Sequence, residues 1–226
     1  MMRSGQPEGE YEWGSPGSNC SHEYLLPELR DVLNSLRSSR EEEPRVLDLG
    51  CGNGFVTGWL AARGFQPLGV DPSSSGIQQA RSAHPELEFH EASAYDPLRE
   101  ELGSFSIVVS LEVVEHLYDP RRFARTVFDV LRPGGTAIIS TPYHGWLKNV
   151  AIAVLDKFDE HVNPLRVHGH IKFWSPDTLS ALLDEAGLQI LGYRFAGRVR
   201  PLAKSMMAVA EKPLSVEDAS LEGDAR

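Results

Sequence analysis

The sequence predicts an α/β fold: a mostly parallel sheet with helices on both faces. Three observations predict it. A glycine-rich turn, Asp48 to Gly54 (DLGCGNG), separates an apolar strand-like stub from a helix-like run. Strand-like and helix-like runs then alternate along the chain, the pattern of strands joined by crossover helices. The last two strand-like runs have only the short turn Ala196 to Lys204 between them, which predicts a hairpin at one edge of the sheet.

The elements follow in order. Residues 22–38 carry Tyr24, Leu25, Leu29, Val32, Leu33 and Leu36 at helical spacing, with Ser21 as a candidate cap. The charged segment Ser38 to Pro44 reads as a linker. Strand-like runs then cover 45–49, 67–71, 87–91, 106–111, 136–140, 189–195 and 205–211. Helix-like runs between them cover 55–63, 76–84, 120–131 and 176–186. Arg132-Pro133-Gly134-Gly135 stops a helix and turns into the fifth strand. Residues 1–20, rich in Gly, Pro, Ser and Glu, read as a mobile arm whose Tyr11 and Trp13 are placed to fold over a ligand. Residues 21–211 read as one domain, with a lid-like insertion at 145–170. Residues 212–226 are acidic and apolar-poor, the composition of a disordered tail.

Composition narrows the function. At 226 residues and 41% hydrophobic content, the chain supports one α/β domain with a real core. The net charge of −10, from 22 basic and 32 acidic residues, argues against nucleic acid as a partner, which favours a basic excess. Cys20 and Cys51 imply no disulfide framework, so a cytoplasmic location is expected. No apolar run approaches the roughly 20 residues of a membrane span, and the N-terminus lacks a signal-peptide core. Nothing in the sequence sets an oligomeric state.

The glycine turn carries the first chemistry. Glycine permits positive φ and close approach of a ligand to the backbone, and the helix behind it offers unpaired N–H groups. An acid about 20 residues further on, Asp71, fits the ribose hydroxyls of a nucleoside cofactor. A dinucleotide loop reads GxGxxG and faces a pyrophosphate. Here Gly50, Gly52 and Gly54 read GxGxG behind Asp48, an acid that repels phosphate and suits a cationic amino acid moiety. A glycine turn serving only chain reversal is the plain alternative.

With its D-x-G-x-G-x-G motif the chain resembles the class I S-adenosylmethionine-dependent methyltransferases. That resemblance covers residues 44–211 and implies a Rossmann-like, seven-stranded sheet with a reversed edge strand. It implies S-adenosylmethionine as cofactor. Gly50, Gly52 and Gly54 would wrap its methionine part with Asp48 near the ammonium, and Asp71 and Pro72 would lie at the ribose. Ser93 and Ala94 would lie near the adenine, where many members have an acid in place of Ser93. Leu111 and Glu112 would complete the pocket.

The fourth strand leads into Leu111-Glu112-Val113-Val114-Glu115-His116. Here the resemblance narrows to the UbiG-like quinol O-methyltransferases of the methyltransferase type 11 group, which carry E-V-x-E-H. Small-RNA 2′-O-methyltransferases share E-x-x-E-H, where both glutamates, the adjacent histidine and a later one hold a divalent metal. For this chain the resemblance implies His116 and Glu115 as catalytic candidates. Glu112, Glu115, His116 and a later histidine are the candidate ligands for Mg²⁺ or another divalent ion. A bound cation makes a coordinated hydroxyl nucleophilic near neutral pH; without one, His116 alone could act as a general base. The later histidine is His168 when the segment is aligned on Lys172 and Phe173, and His170 when it is aligned on Trp174. His144 and His161 also compete. In the quinol family the matching insertion is a substrate lid that touches lipid, so peripheral membrane contact is expected, with Lys148 and Lys157 toward an anionic surface. A short helix packed on the sheet edge is the plainer reading. The expected reaction is O-methylation of a small phenolic, quinol or other hydroxyl acceptor. An RNA 2′-O-methyltransferase and a non-catalytic cofactor-binding subunit stand as alternatives.

Overall fold

The structure is a computed structural model that describes Trp13 and residues 17–37, 44–162, 165 and 167–214. The sequence expectations for Tyr11, for most of the arm and for the tail beyond 214 lie outside the described residues.

Seven strands form one sheet: β1 (Arg45–Leu49), β2 (Gln66–Asp71), β3 (Glu88–Glu91), β4 (Phe105–Leu111), β5 (Leu131–Pro142), β6 (Gln189–Ala196) and β7 (Ser205–Glu211). Their order is β3-β2-β1-β4-β5-β7-β6. The first five pair in parallel, and β7 runs antiparallel to β5 and β6, so the final hairpin forms one edge. β1 and β4 are buried along nearly their whole length, as central strands covered on both faces must be. The order reverses between β1 and β4, and in open α/β sheets ligands bind outside the carboxyl ends of the strands at such a switch point.

Helices α1 (His22–Arg37) and α2 (Phe55–Ala61) share one apolar layer with residues of β1, β4 and β5, including Leu25, Leu29, Leu60, Val46 and Ile107. On the other face, α5 (Pro120–Val130) and α8 (Pro176–Glu185) bury Phe123, Val127, Leu179 and Leu183 against the same strands. Helix α3 (Ser74–Ala83) packs Ile77 and Ala80 on Phe89.

Some boundaries differ from expectation for identifiable reasons. Ser21 O starts α1, but the capping oxygen is Asn19 Oδ1, which accepts from the N–H groups of Ser21 and His22. β5 begins at Leu131 and runs through the Pro-Gly-Gly segment, because Leu131 still pairs with Phe105; the register shifts before Ile107. A five-residue helix, α4 (Leu98–Leu102), escapes the sequence reading because only Leu98 and Leu102 mark its buried side. Between β5 and α8 lie α6 (Trp146–Val154) and α7 (Phe158–His161). No helix among the described residues is long and apolar enough to cross a membrane.

Candidate active site

The glycine loop hangs from the end of β1 by backbone bonds: Gly50 N and Cys51 N both donate to Val70 O, at 2.7 and 3.0 Å. Gly50, Gly52 and Gly54 have φ of 87°, 52° and 78°, the left-handed region that penalises any side chain. Asp71, closing β2, accepts from Gly52 N and Ser73 N, each at 2.8 Å. Burial raises its pKa, and those two N–H bonds hold the shift back. Asp71 is thereby fixed in place by the glycine loop and by Ser73.

Asp48 behaves differently. It is buried, and Thr57 Oγ1 donates to its Oδ2 at 2.6 Å. Burial pushes its pKa up to about 7 despite that bond. Asp48 thus ties β1 to α2 beneath the loop. Ser93 and Ala94 follow β3 in a tight turn: Ser93 N donates to Asp96 Oδ2 at 2.7 Å, and Tyr95 N donates to Ser93 Oγ at 3.2 Å. Ala94 is buried, Leu111 half-buried and Pro72 exposed.

A second cluster of polar side chains is built from β4 and its continuation. Glu112 has φ 56°, an uncommon conformation for a non-glycine residue. Its carboxylate accepts from Ser140 Oγ at 2.8 Å and Ser205 Oγ at 3.2 Å. Tyr24 OH stands 3.4 Å from Ser205 Oγ. Burial pushes the Glu112 pKa up to about 7; the two serines and the Lys148 ammonium oppose the shift. Glu115 lies in the 3-10 turn Val114–His116 and is fully buried; neither of its carboxylate oxygens has a close hydrogen bond, and its own backbone N–H, the Thr141 hydroxyl and His116 are the polar groups that bear on it. Burial first, and then the Glu112 carboxylate, hold its pKa well above the ordinary range. Buried polar atoms are nearly always paired, so two oxygens of one carboxylate without a close bond need an explanation.

The later histidine arrives from a distant segment. Ile171 N and Lys172 N both donate to Glu115 O, at 2.9 and 3.0 Å, and His116 Nδ1 lies 3.3 Å from Gly169 O. These contacts bring the His170 ring to 5.0 Å from the His116 ring. His116 Nε2 is 4.0 Å from Glu115 Oε1. Glu115, His116 and His170 each offer one ligand atom, all within 4.8 Å of one another. Glu112 and His168 stand outside that group; His168 has φ 58° and sits in the turn that delivers His170. His144 packs edge-on against Phe173 instead, at 5.0 Å. The side chain of His161 lies outside the described residues.

The insertion forms a helical cover with an open apolar side. α6 buries none of its residues, and Trp146, Val154 and Phe158 are mostly exposed. Beneath it lies a groove of about 440 Å³ lined by His144, Ile152, Phe158, Phe173 and Trp174. Lys148 is half-buried and donates to Tyr143 O at 3.1 Å, so it points inward, while Lys157 stays exposed. Tyr24, Ser140, Ser205 and Lys148 all bear on Glu112, yet each comes from a different element. None sits in a motif that would reveal it.

Comparison with known proteins gives consistent results. A methyltransferase-domain family model matches residues 21–192. A ubiquinone biosynthesis O-methyltransferase of Ruegeria pomeroyi is 34% identical over 192 residues, covering 81% of this chain and 76% of that one. The mitochondrial ubiquinone biosynthesis O-methyltransferase of Rattus norvegicus is 31% identical over 179 residues, covering 73% of this chain and 51% of the relative. The chain thus spans about half the length of the mitochondrial relatives it matches. Among solved structures, a SAM-dependent methyltransferase of Methanosarcina mazei shares the fold with a TM-score of 0.61 at 21% identity, over 80% of this chain and 97% of that one. The cyclase SpnF shares it with a TM-score of 0.62 at 16% identity, over 92% and 88%.

Proposed function

This chain belongs to the methyltransferase family, and on that premise we propose that it methylates a hydroxyl of a small phenolic or quinol acceptor. S-adenosylmethionine supplies an electrophilic methyl group on a sulfonium, so the protein's task is to hold the acceptor oxygen in line and take up its proton. The observation that carries the reading is the buried Glu115 side chain, without a close hydrogen bond, beside His116 and His170 at the same end of the sheet as the glycine loop. The names of the relatives support a hydroxyl acceptor.

The residues divide by role. Gly50, Gly52 and Gly54 receive the methionine part of the cofactor, and Asp71 holds the ribose. Ser93, Ala94 and Leu111 flank the adenine. Glu112, pinned by Ser140 and Ser205, shapes the floor between cofactor and acceptor. His116 and Glu115 face the acceptor hydroxyl, and His116 takes its proton.

The donor set also fits a divalent cation. Two imidazoles and a buried carboxylate, near a second carboxylate, are ligands that Mg²⁺, Mn²⁺ or a softer ion accepts. Glu115, His116 and His170 would hold it, and the ion would lower the pKa of the acceptor hydroxyl. The exposed apolar side of α6, with Trp146, Val150 and Val154, suits the edge of a lipid surface, and an apolar acceptor would then enter under the same helix.

The test is formation of S-adenosylhomocysteine from S-adenosylmethionine and a panel of catechols, with Mg²⁺, with Mn²⁺ and with chelator. Turnover that needs metal supports the full reading, and turnover indifferent to chelator removes the cation. Binding of S-adenosylhomocysteine without turnover of any acceptor favours a non-catalytic subunit.

A further inference from the structure

The segment ahead of α1 is seated on the cofactor loop at three points. The Trp13 indole lies across Gly52 and Gly76. A Cβ on Gly52 would overlap its six-membered ring, and one on Gly76 would come within 2.9 Å of Trp13 Cδ1. Gln79 Nε2 donates to Trp13 O, and Trp13 N stands 3.5 Å from Ser75 Oγ. Gly17 O accepts from Asn53 Nδ2 at 3.0 Å. His22 stacks flat on Phe55, with ring centroids 4.9 Å apart and planes 7° apart. These contacts are made to the loop at 52–55 and to α3, the helix that follows Asp71.

The placement is specific. A tryptophan filling a surface groove packs on side chains; this one packs on bare backbone, which only glycine supplies. One of those glycines, Gly52, donates its N–H to the ribose acid Asp71. The second, Gly76, is held by Ser73 Oγ, the residue whose own N–H also binds Asp71. The indole therefore lies one hydrogen bond away from the Asp71 carboxylate through Gly52 and two away through Gly76 and Ser73. Large aromatic rings add apolar area at little entropic cost and exclude water from what they cover.

We propose that Trp13 is a cofactor-binding residue whose indole walls the S-adenosylmethionine site over Gly52, with seating of Trp13 and cofactor binding thermodynamically coupled. The inference rests on the S-adenosylmethionine reading above. Coupling is reciprocal: whatever affinity the cofactor gains from the seated indole, the indole gains in seating from the cofactor.

The test is calorimetric titration of S-adenosylhomocysteine into the full chain and into Trp13→Ala and Trp13→Phe, with tryptophan emission followed in parallel. Affinity is expected to fall roughly tenfold or more in Trp13→Ala and to recover most of the way in Trp13→Phe. The emission change at saturation is expected in the unaltered protein and lost in Trp13→Phe, although Trp59, Trp146 and Trp174 remain. A merely structural tryptophan would leave that optical signal unlinked to ligand. Equal affinity in Trp13→Ala overturns the inference. Tighter binding also overturns it, since the indole would then occupy the site in place of the cofactor. If Trp13→Ala does not fold, the emission of Trp13→Phe decides alone. No binding to the unaltered protein overturns the S-adenosylmethionine reading itself, which separates that failure from failure of the wall.

Discussion

The glycine loop and the second polar cluster share one end of the sheet but are built in opposite ways. Around the loop, the two acids and the cap of α3 are paired at short range: Gly52 and Ser73 on Asp71, Thr57 on Asp48, Gly76 on Ser73. At the second cluster, Glu115 is buried beside His116 and His170 without a close hydrogen bond, and no residue of α6 is buried. The first region is finished by its own chain. The second is held open at an energetic cost, since buried polar groups without a close bond cost roughly 1–3 kcal/mol each. Such a cost is tolerable where a ligand will meet the groups. The difference teaches which region is preorganised and which completes itself on binding.

The sharpest way to break that comparison is Glu115→Gln. If the carboxylate serves the acceptor alone, turnover falls by about 10²–10⁴ while S-adenosylhomocysteine affinity holds. Equal loss of both would merge the two regions into one. Gly52→Ala attacks the other side. A methyl at φ 52° costs roughly 1–2 kcal/mol and collides with Trp13. Cofactor affinity should drop about tenfold by calorimetry, with turnover at saturating cofactor nearly unchanged.

A third variant, Asp48→Asn, tests whether the loop's buried acid is a structural tie. Its folded pKa, about 7, stands above the ordinary 3.8, so the native state keeps a proton that the unfolded chain loses. The stability this group contributes is full below pH 3.8 and falls away as pH rises through 7. The thermal midpoint of Asp48→Asn, measured against the parent, should therefore rise across that window. A constant difference would mean that Asp48 does not titrate there. The smallest effect belongs to the cover: Val150→Ser with Val154→Ser should change stability by no more than about 0.5 kcal/mol. The same pair should reduce co-sedimentation with anionic vesicles, and unchanged sedimentation would detach the cover from lipid.

Legibility follows the same divide. The strands at 45–49 and 205–211 match expectation to the residue, because apolar runs between turn residues specify them locally. The positive φ of Gly50, Gly52 and Gly54 is equally legible, being a property of the local turn. Which later histidine stands beside His116 is not, because it depends on Ile171 and Lys172 docking on Glu115 O from over 50 residues away. Ser140, Ser205 and Tyr24 meet at Glu112 only after three elements have assembled, and no local spacing encodes that meeting. α4 was missed because five residues with two apolar positions give too little periodicity to read.

The position of β7 has a consequence for synthesis on the ribosome. It enters the sheet between β5 and β6, and it is the last strand among the described residues. Until residues 205–211 emerge, the β5 edge carrying Ile138 and Ile139 has no strand beside it. A nascent chain stalled at that stage would present a bare, apolar strand margin, the kind of surface that pairs with other chains. The closing step of vectorial folding would then be the insertion of β7, carrying Ser205 to Glu112. The Ser205 bond to Glu112 would thus form only once β7 has emerged.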